Sequence, residues 1–188
     1  MTAATVEKPT TKQRWRRSRT LSRRLEVRDI AEEDMRYAWA AFKLGKFADM
    51  DPQFADTSMT GKEFNAAFWD YVGGNFEFGT TILAQTPRGF LPAGMVFANL
   101  SPRLTYMEIA GIVWFPTASK RNIIEGTVGL FQKLRENGTP VTVYATDEHK
   151  RVYEVVCAHG ILRRVGTTFM MIPGKVAAVF ETKMRSRP

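Results

Sequence analysis

One apolar run, Tyr106–Phe115, constrains the fold of this chain more than any other stretch. It holds a single carboxylate, Glu108, and no lysine or arginine. It is too short for a membrane span, which needs about 20 apolar residues. It also lacks the strict alternation of a half-exposed strand, so it reads as a strand at the centre of a sheet, covered on both faces. The polar loop Pro116-Thr117-Ala118-Ser119-Lys120-Arg121 follows. Spacing then predicts a helix over Asn122–Glu136, a strand over Val141–Thr146 and a helix over Glu148–Ala158. A loop that enters a helix meets free backbone N–H groups and the positive end of the helix dipole, so this order places an anion site beside the central strand.

A doubly covered strand needs two layers, and the chain has the material for them. At 188 residues with 44% apolar and 12% aromatic content, it is long enough for one domain with a sizeable core. The opening strand Leu25–Arg28 leads to Asp29-x-x-Glu32, a helix-capping pattern. Met35, Ala38, Trp39 and Phe42 then fall on one helical face, and Phe64, Ala67, Phe68 and Tyr71 repeat the spacing, with Gly73-Gly74 expected to end that helix. Residues Lys46–Met59 read as loop. Thr80–Gln85 and Gly94–Leu100 flank the hairpin signal Thr86-Pro87-Arg88-Gly89, and Thr167–Ile172 and Val176–Glu181 flank Pro173-Gly174-Lys175. Phe90, Phe97, Trp114, Phe115, Phe131 and Phe169 read as core. The expected class is mixed α/β, a mostly antiparallel sheet of about six or seven strands with about four helices, occupying 25–183 before a short tail, 184–188.

Charge divides the chain differently. The net charge is +8, yet residues 1–24 contain Lys8, Lys12, Arg14, Arg16, Arg17, Arg19, Arg23 and Arg24 against one acid, Glu7. The remainder is left close to neutral. The excess belongs to a basic N-terminal arm, expected to be flexible and extended, and not to a binding face on the fold. Within it, Trp15 sits among Arg14, Arg16, Arg17 and Arg19, a mixture suited to nucleic-acid phosphates with some base stacking or to an acidic groove on a protein. One cysteine, Cys157, excludes an intramolecular disulfide and suits a reducing compartment. Two histidines, His149 and His159, without a cysteine cluster argue against a zinc site. Val152, Val155, Val156 and His159 share a helical face, which makes His159 a residue of the core edge. No apolar h-region marks a secretory signal.

The order β-α-α-β-β-β-α-β-α-β-β, with the loop after the central strand, resembles the GNAT superfamily of N-acetyltransferases over roughly 25–183. The family's pyrophosphate loop, R/Q-x-x-G-x-G/A, is matched by Arg121-Asn122-Ile123-Ile124-Glu125-Gly126, with Ile124 in place of the first glycine. The family's N-x-x-A-x-x-x-Y-x-x-x-G-F is matched by the run from His149 to Ile161, with His149 at the asparagine and Val156 at the tyrosine that donates a proton. Tyr153 lies three residues earlier. The resemblance implies acetyl-CoA between Tyr106–Phe115 and Val141–Thr146, with contacts from Val113, Phe115, Lys120, Arg121 and Gly126 and assistance from Glu108 or Tyr153. The departures imply a degenerate member, similar to GNAT-like virion proteins of tailed bacteriophages. On that leading expectation the chain is a structural component of a particle in the virion or host cytoplasm, docked by its arm on protein partners, with no cofactor. An acetyl-CoA-dependent enzyme is the alternative, and a non-specific nucleic-acid binder working through the arm is the third reading.

Overall fold

The structure, a computed structural model, describes residues 20–22, 25–48, 50–87, 89–100, 106–169 and 176–183. Its strands are β1 (Thr20–Ser22), β2 (Leu25–Asp29), β3 (Phe78–Thr86), β4 (Gly89–Leu100), β5 (Met107–Trp114), β6 (Val141–Ala145), β7 (Leu162–Phe169) and β8 (Val176–Thr182). The α-helices are α1 (Met35–Lys43), α2 (Gly61–Asn75), α3 (Lys120–Glu136) and α4 (Asp147–Ala158). One sheet runs β1-β2-β3-β4-β5-β6-β8-β7, antiparallel except at the β5–β6 joint, which α3 crosses over. The expected order stands, with one addition. Thr20–Ser22, assigned above to the arm, pairs with β2 as a short edge strand, so the sheet has eight strands. The arm residues Arg14, Trp15, Arg16, Arg17, Arg19, Arg23 and Arg24 lie outside the described residues, as does the Pro173-Gly174-Lys175 turn.

Two cores of different chemistry cover the two faces. One joins Leu130, Phe131 and Leu134 of α3 and Tyr153 and Val156 of α4 to mostly aliphatic strand residues such as Ile82, Ile109, Val143 and Phe180. The other is aromatic: Phe42 of α1 and Phe64 and Phe68 of α2 meet Phe97 of β4 and Phe115. Phe42 and Phe64 stack with centroids 4.6 Å apart. The segment expected to be loop supplies two fully buried rings to this cluster, Phe47 and Phe54. It is pinned there by the Tyr71 hydroxyl, which donates to the Met50 carbonyl at 2.8 Å, and by Lys43 Nζ, which donates to the carbonyls of Thr57 and Met59.

Four local expectations give way. Asp29 and Glu32 form no capping pair; the cap is Asp34, fully buried at the end of a 3-10 turn, Glu32–Asp34. Its carboxylate accepts two bonds from Arg28 (2.7 and 2.8 Å), one from the Ala31 amide and one from the Thr81 hydroxyl. Four donors compensate the desolvation of a buried carboxylate. Gly73 and Gly74 do not end α2, because Val72 anchors the last turn and the helix continues to Asn75. Phe90 and His159 are exposed where core positions were expected.

Candidate functional site

The β5–β6 joint is short. Parallel pairing covers Met107↔Val141, Glu108↔Thr142 and Ile109↔Val143, although β5 continues to Trp114. The reason lies one residue further along. Against β4, Phe97 pairs with Gly111 and Ala98 with Ile109, which leaves Ala110 as an extra residue, a β-bulge. A bulge reverses which face each side chain takes. Met107 and Ile109 point into the aliphatic core before it; Ile112 and Trp114 pack on that core after it, and Val113 enters the aromatic core. Beyond the bulge β5 parts from β6. Among the described residues, the β6-facing backbone of Gly111–Trp114 has no strand partner.

A cavity of about 350 Å³ fills the parting. Ile112, Val113, Trp114, Phe115 and Pro116 form one wall, Ile123 and Thr127 of α3 a second, and His149, Val152 and Tyr153 of α4 a third. Leu44 and Lys46, which follow α1, stand at its side. The volume and the apolar walls with a few polar groups suit a small organic ligand. At one end is the N-terminus of α3. There Ser119 Oγ accepts from the Asn122 amide, and Lys120 and Arg121 are exposed in the first turn. Arg121 is engaged by Glu125 one turn on, with its Nε donating to the carboxylate, which holds its pKa above the usual guanidinium value.

Of the residues singled out by sequence, Val113, Phe115 and Tyr153 meet at this cavity. The side chains of Val113 and Phe115 are buried in the aromatic core, so what they offer a ligand is backbone. Tyr153 is 6% exposed, stacks on Phe180 and meets Phe131 edge-on. Burial pushes its phenol pKa well up, so it stays protonated. Val156, at the position expected for the tyrosine, is fully buried in the core.

Four expected residues do not line the cavity: Lys120 and Arg121 are exposed at the start of α3, and Gly126 and Glu108 stand elsewhere. The window Arg121–Gly126 is not a loop but the first two turns of α3. Gly126 is buried under Trp114, where a Cβ would come within 2.5 Å of the indole. That glycine lets a tryptophan lie across the helix, and close packing accounts for it without any phosphate. Glu108 does not line the cavity. It lies across from Thr142, near Tyr144, on the face opposite Met107 and Ile109. Burial there raises the Tyr144 pKa, and Glu108, Tyr106 and Glu181 raise it further. His149, Lys46 and Thr127 belong to the cavity wall and were missed as site residues. The match of His149 to the asparagine position was the available signal for one of them. Cys157 is partly buried, and burial pushes its thiol pKa up. Among the described residues no cluster of His, Cys, Asp or Glu could hold a metal ion, and no helix is long and apolar enough to cross a membrane.

The mixed α/β sheet, with its parted parallel strands and the helix entering beside them, is GNAT-like in fold. Solved structures agree. A GCN5-related N-acetyltransferase from Brucella melitensis superposes with a TM-score of 0.66 at 16% identity, covering 89% of this chain and 78% of that one. A GNAT-family acetyltransferase from Bacillus anthracis gives 0.62 at 16% identity, covering 85% and 95%. The spermidine N-acetyltransferase of Vibrio cholerae, in complex with CoA and spermine, gives 0.60 at 11% identity, covering 85% and 94%. No protein-family model and no curated protein sequence matches the chain.

Proposed function

We propose that this protein binds an acyl thioester of coenzyme A in the cavity between β5 and β6 and transfers the acyl group to an amine. The parting of those strands carries the reading. Past Ile109 the two strands separate, β6 ends at Ala145, and among the described residues the β6-facing backbone of Gly111–Trp114 is left without a strand partner beside a cavity. An unpaired strand edge is a ready partner for the amide groups of a pantetheine chain. The α3 N-terminus, with Lys120 nearby, suits its phosphates. Main-chain contacts of this kind survive the exchange of side chains, so Ile124 on the exposed surface of α3 does not obstruct them. Bound there, the thioester supplies an activated acyl carbon, and the protein supplies position and the exclusion of water.

A calorimetric titration of the full chain with acetyl-CoA tests this. Micromolar affinity that persists in 0.5 M KCl and falls at least tenfold on Val152→Trp, which fills the cavity, is the expected result. Binding confined to low salt would assign the heat to the arm. No heat at millimolar ligand, from protein shown to be folded by circular dichroism, would overturn the reading.

One observation favours a second reading, a structural role. The concentration of eight basic residues in 1–24 suits docking on an acidic partner within a larger assembly, such as a bacteriophage particle, or on packaged nucleic acid. In that role the cavity is a relic and the fold a scaffold. A nucleic-acid binder working through the arm alone would instead bind weakly, without sequence preference and with steep salt dependence.

A further inference from the structure

Acyl transfer to an amine has to remove a proton from nitrogen and return one to sulfur. The side chain that ordinarily titrates between pH 5 and 8 is imidazole. We infer that His149 is the proton-handling residue of this cavity, an assignment that rests on the acyl-thioester reading.

Three observations place it. His149 lines the cavity from the first turn of α4, whereas Glu108, the carboxylate expected to act as base, does not. Thr146, the residue before α4, brings its Oγ1 to 3.2 Å from His149 Nδ1. With Nδ1–H donating to Thr146 Oγ1, Nε2 carries the lone pair, and it has no partner among the described residues. Tyr153 follows at i+4, so it shares the helical face and lines the same wall. Its phenol remains a donor over the working range because burial raises its pKa. The remaining titratable group of the lining is Lys46, on the segment after α1; β5 and α3 contribute only uncharged side chains there. The wall therefore holds one imidazole and one phenol donor beside it.

The step balances without an outside reagent. The amine lone pair forms the N–C bond to the thioester carbonyl carbon, and the C–S bond breaks with its electron pair leaving on sulfur. The nitrogen's proton passes to His149 Nε2. The imidazolium then returns that proton to the thiolate, whose charge the Tyr153 hydroxyl stabilises until it arrives. The ring ends neutral, and the products are an amide and the thiol.

The chain holds two histidines, which makes the test clean. His159 is exposed at the far end of α4, about 15 Å along the axis. Imidazole signals of the full-chain protein are followed by NMR as CoA is added, with His149→Gln assigning the pair. The expected result is that CoA moves the His149 signals and shifts their titration midpoint by about half a unit or more, while His159 stays put. With acetyl-CoA and a panel of primary amines, His149→Gln should lower turnover by roughly 10²–10⁴-fold and abolish the acidic limb of the pH profile, with little change in CoA affinity. Tyr153→Phe should lower turnover while keeping that limb. If CoA binds but the His149 signals stay fixed, or if His149→Gln keeps the acidic limb, this assignment falls and the acyl-thioester reading stands. If CoA does not bind, both fall.

Discussion

The two halves of this sheet are built to different rules. From β2 to β5 the strands pair in long antiparallel registers, nine residues of β3 and seven of β4 finding partners on the next strand. From β6 through β8 to β7 the sheet is again continuous. Between the halves there are three parallel pairs and a gap. The helical layers follow the same division of labour. The α1–α2 side is an interlocked aromatic cluster that reaches the cavity only at Val113, Phe115 and the Leu44–Lys46 segment, whereas α3 and α4 flank it along two walls. Both sides carry a buried core, but the α3–α4 side also flanks the joint that stays open. Stability and ligand capacity should therefore be separable by mutation, and each substitution below tests that separation.

The largest effect is expected on the stabilising side. Phe64 is 1% exposed and touches the rings of Trp39, Phe42, Phe47, Phe54 and Phe68. Phe64→Ala should cost about 3–5 kcal/mol in urea unfolding, through lost burial and the cavity left behind. If the two sides are separable, the fraction that remains folded should bind acetyl-CoA with unchanged affinity. A parallel loss of affinity would show that the aromatic layer sets the shape of the joint.

The same contrast explains what could be read from sequence. The helices of the aromatic side declare themselves through stripes such as Met35, Ala38, Phe42 and Phe64, Phe68, because burial on one face leaves a periodic mark. The succession of strands along the chain was legible for the same reason, though their order in the sheet was not read. Phe47 and Phe54 were not, since they enter the core from a segment without period, held by side chain–carbonyl bonds that leave no local pattern. At the joint, the bulge at Ala110 was hidden within an apolar run. Ala110 is exposed there, against the expectation of a strand covered on both faces, yet it is an apolar letter among apolar letters, so the reversal of phase leaves no mark in the sequence. The motif alone could not say why Gly126 is a glycine, because two different demands select that residue. A phosphate needs a close backbone, and so does an indole laid across a helix.

That tryptophan contact supplies the next test, a smaller one at the joint itself. In Gly126→Ala the new methyl group meets Trp114 Cη2 at 2.5 Å, and the ring must move. Overpacking costs about 1–3 kcal/mol, against which alanine regains up to about 1 kcal/mol of helix propensity. The net loss should stay below about 2 kcal/mol. Trp114 also lines the cavity, so acetyl-CoA affinity should fall severalfold out of proportion to that loss. Unchanged affinity would mean that the ligand does not reach the Trp114 side of the gap.

The smallest effect concerns Tyr153 and appears only at high pH. The folded phenol is raised above its ordinary pKa of about 10 by burial, so the folded state resists ionisation that the unfolded chain accepts. The stabilising contribution is complete below pH 10 and declines as pH rises, because the unfolded state releases a proton that the native state keeps. Near pH 7, Tyr153→Phe should change stability by less than about 1 kcal/mol, since the hydroxyl has no hydrogen-bond partner among the described residues to lose. Between pH 10 and 11.5 the wild-type protein should lose about 1–2 kcal/mol more than the variant in urea titrations. Tyr71, whose pKa burial and Asp51 also raise, is common to both proteins and leaves the difference intact. Parallel alkaline curves would mean that the phenol reaches water through the cavity in the folded state. The α4 wall would then be more open than the aromatic side in solution, and Tyr153 could lose its proton beside a bound ligand instead of holding it as a donor.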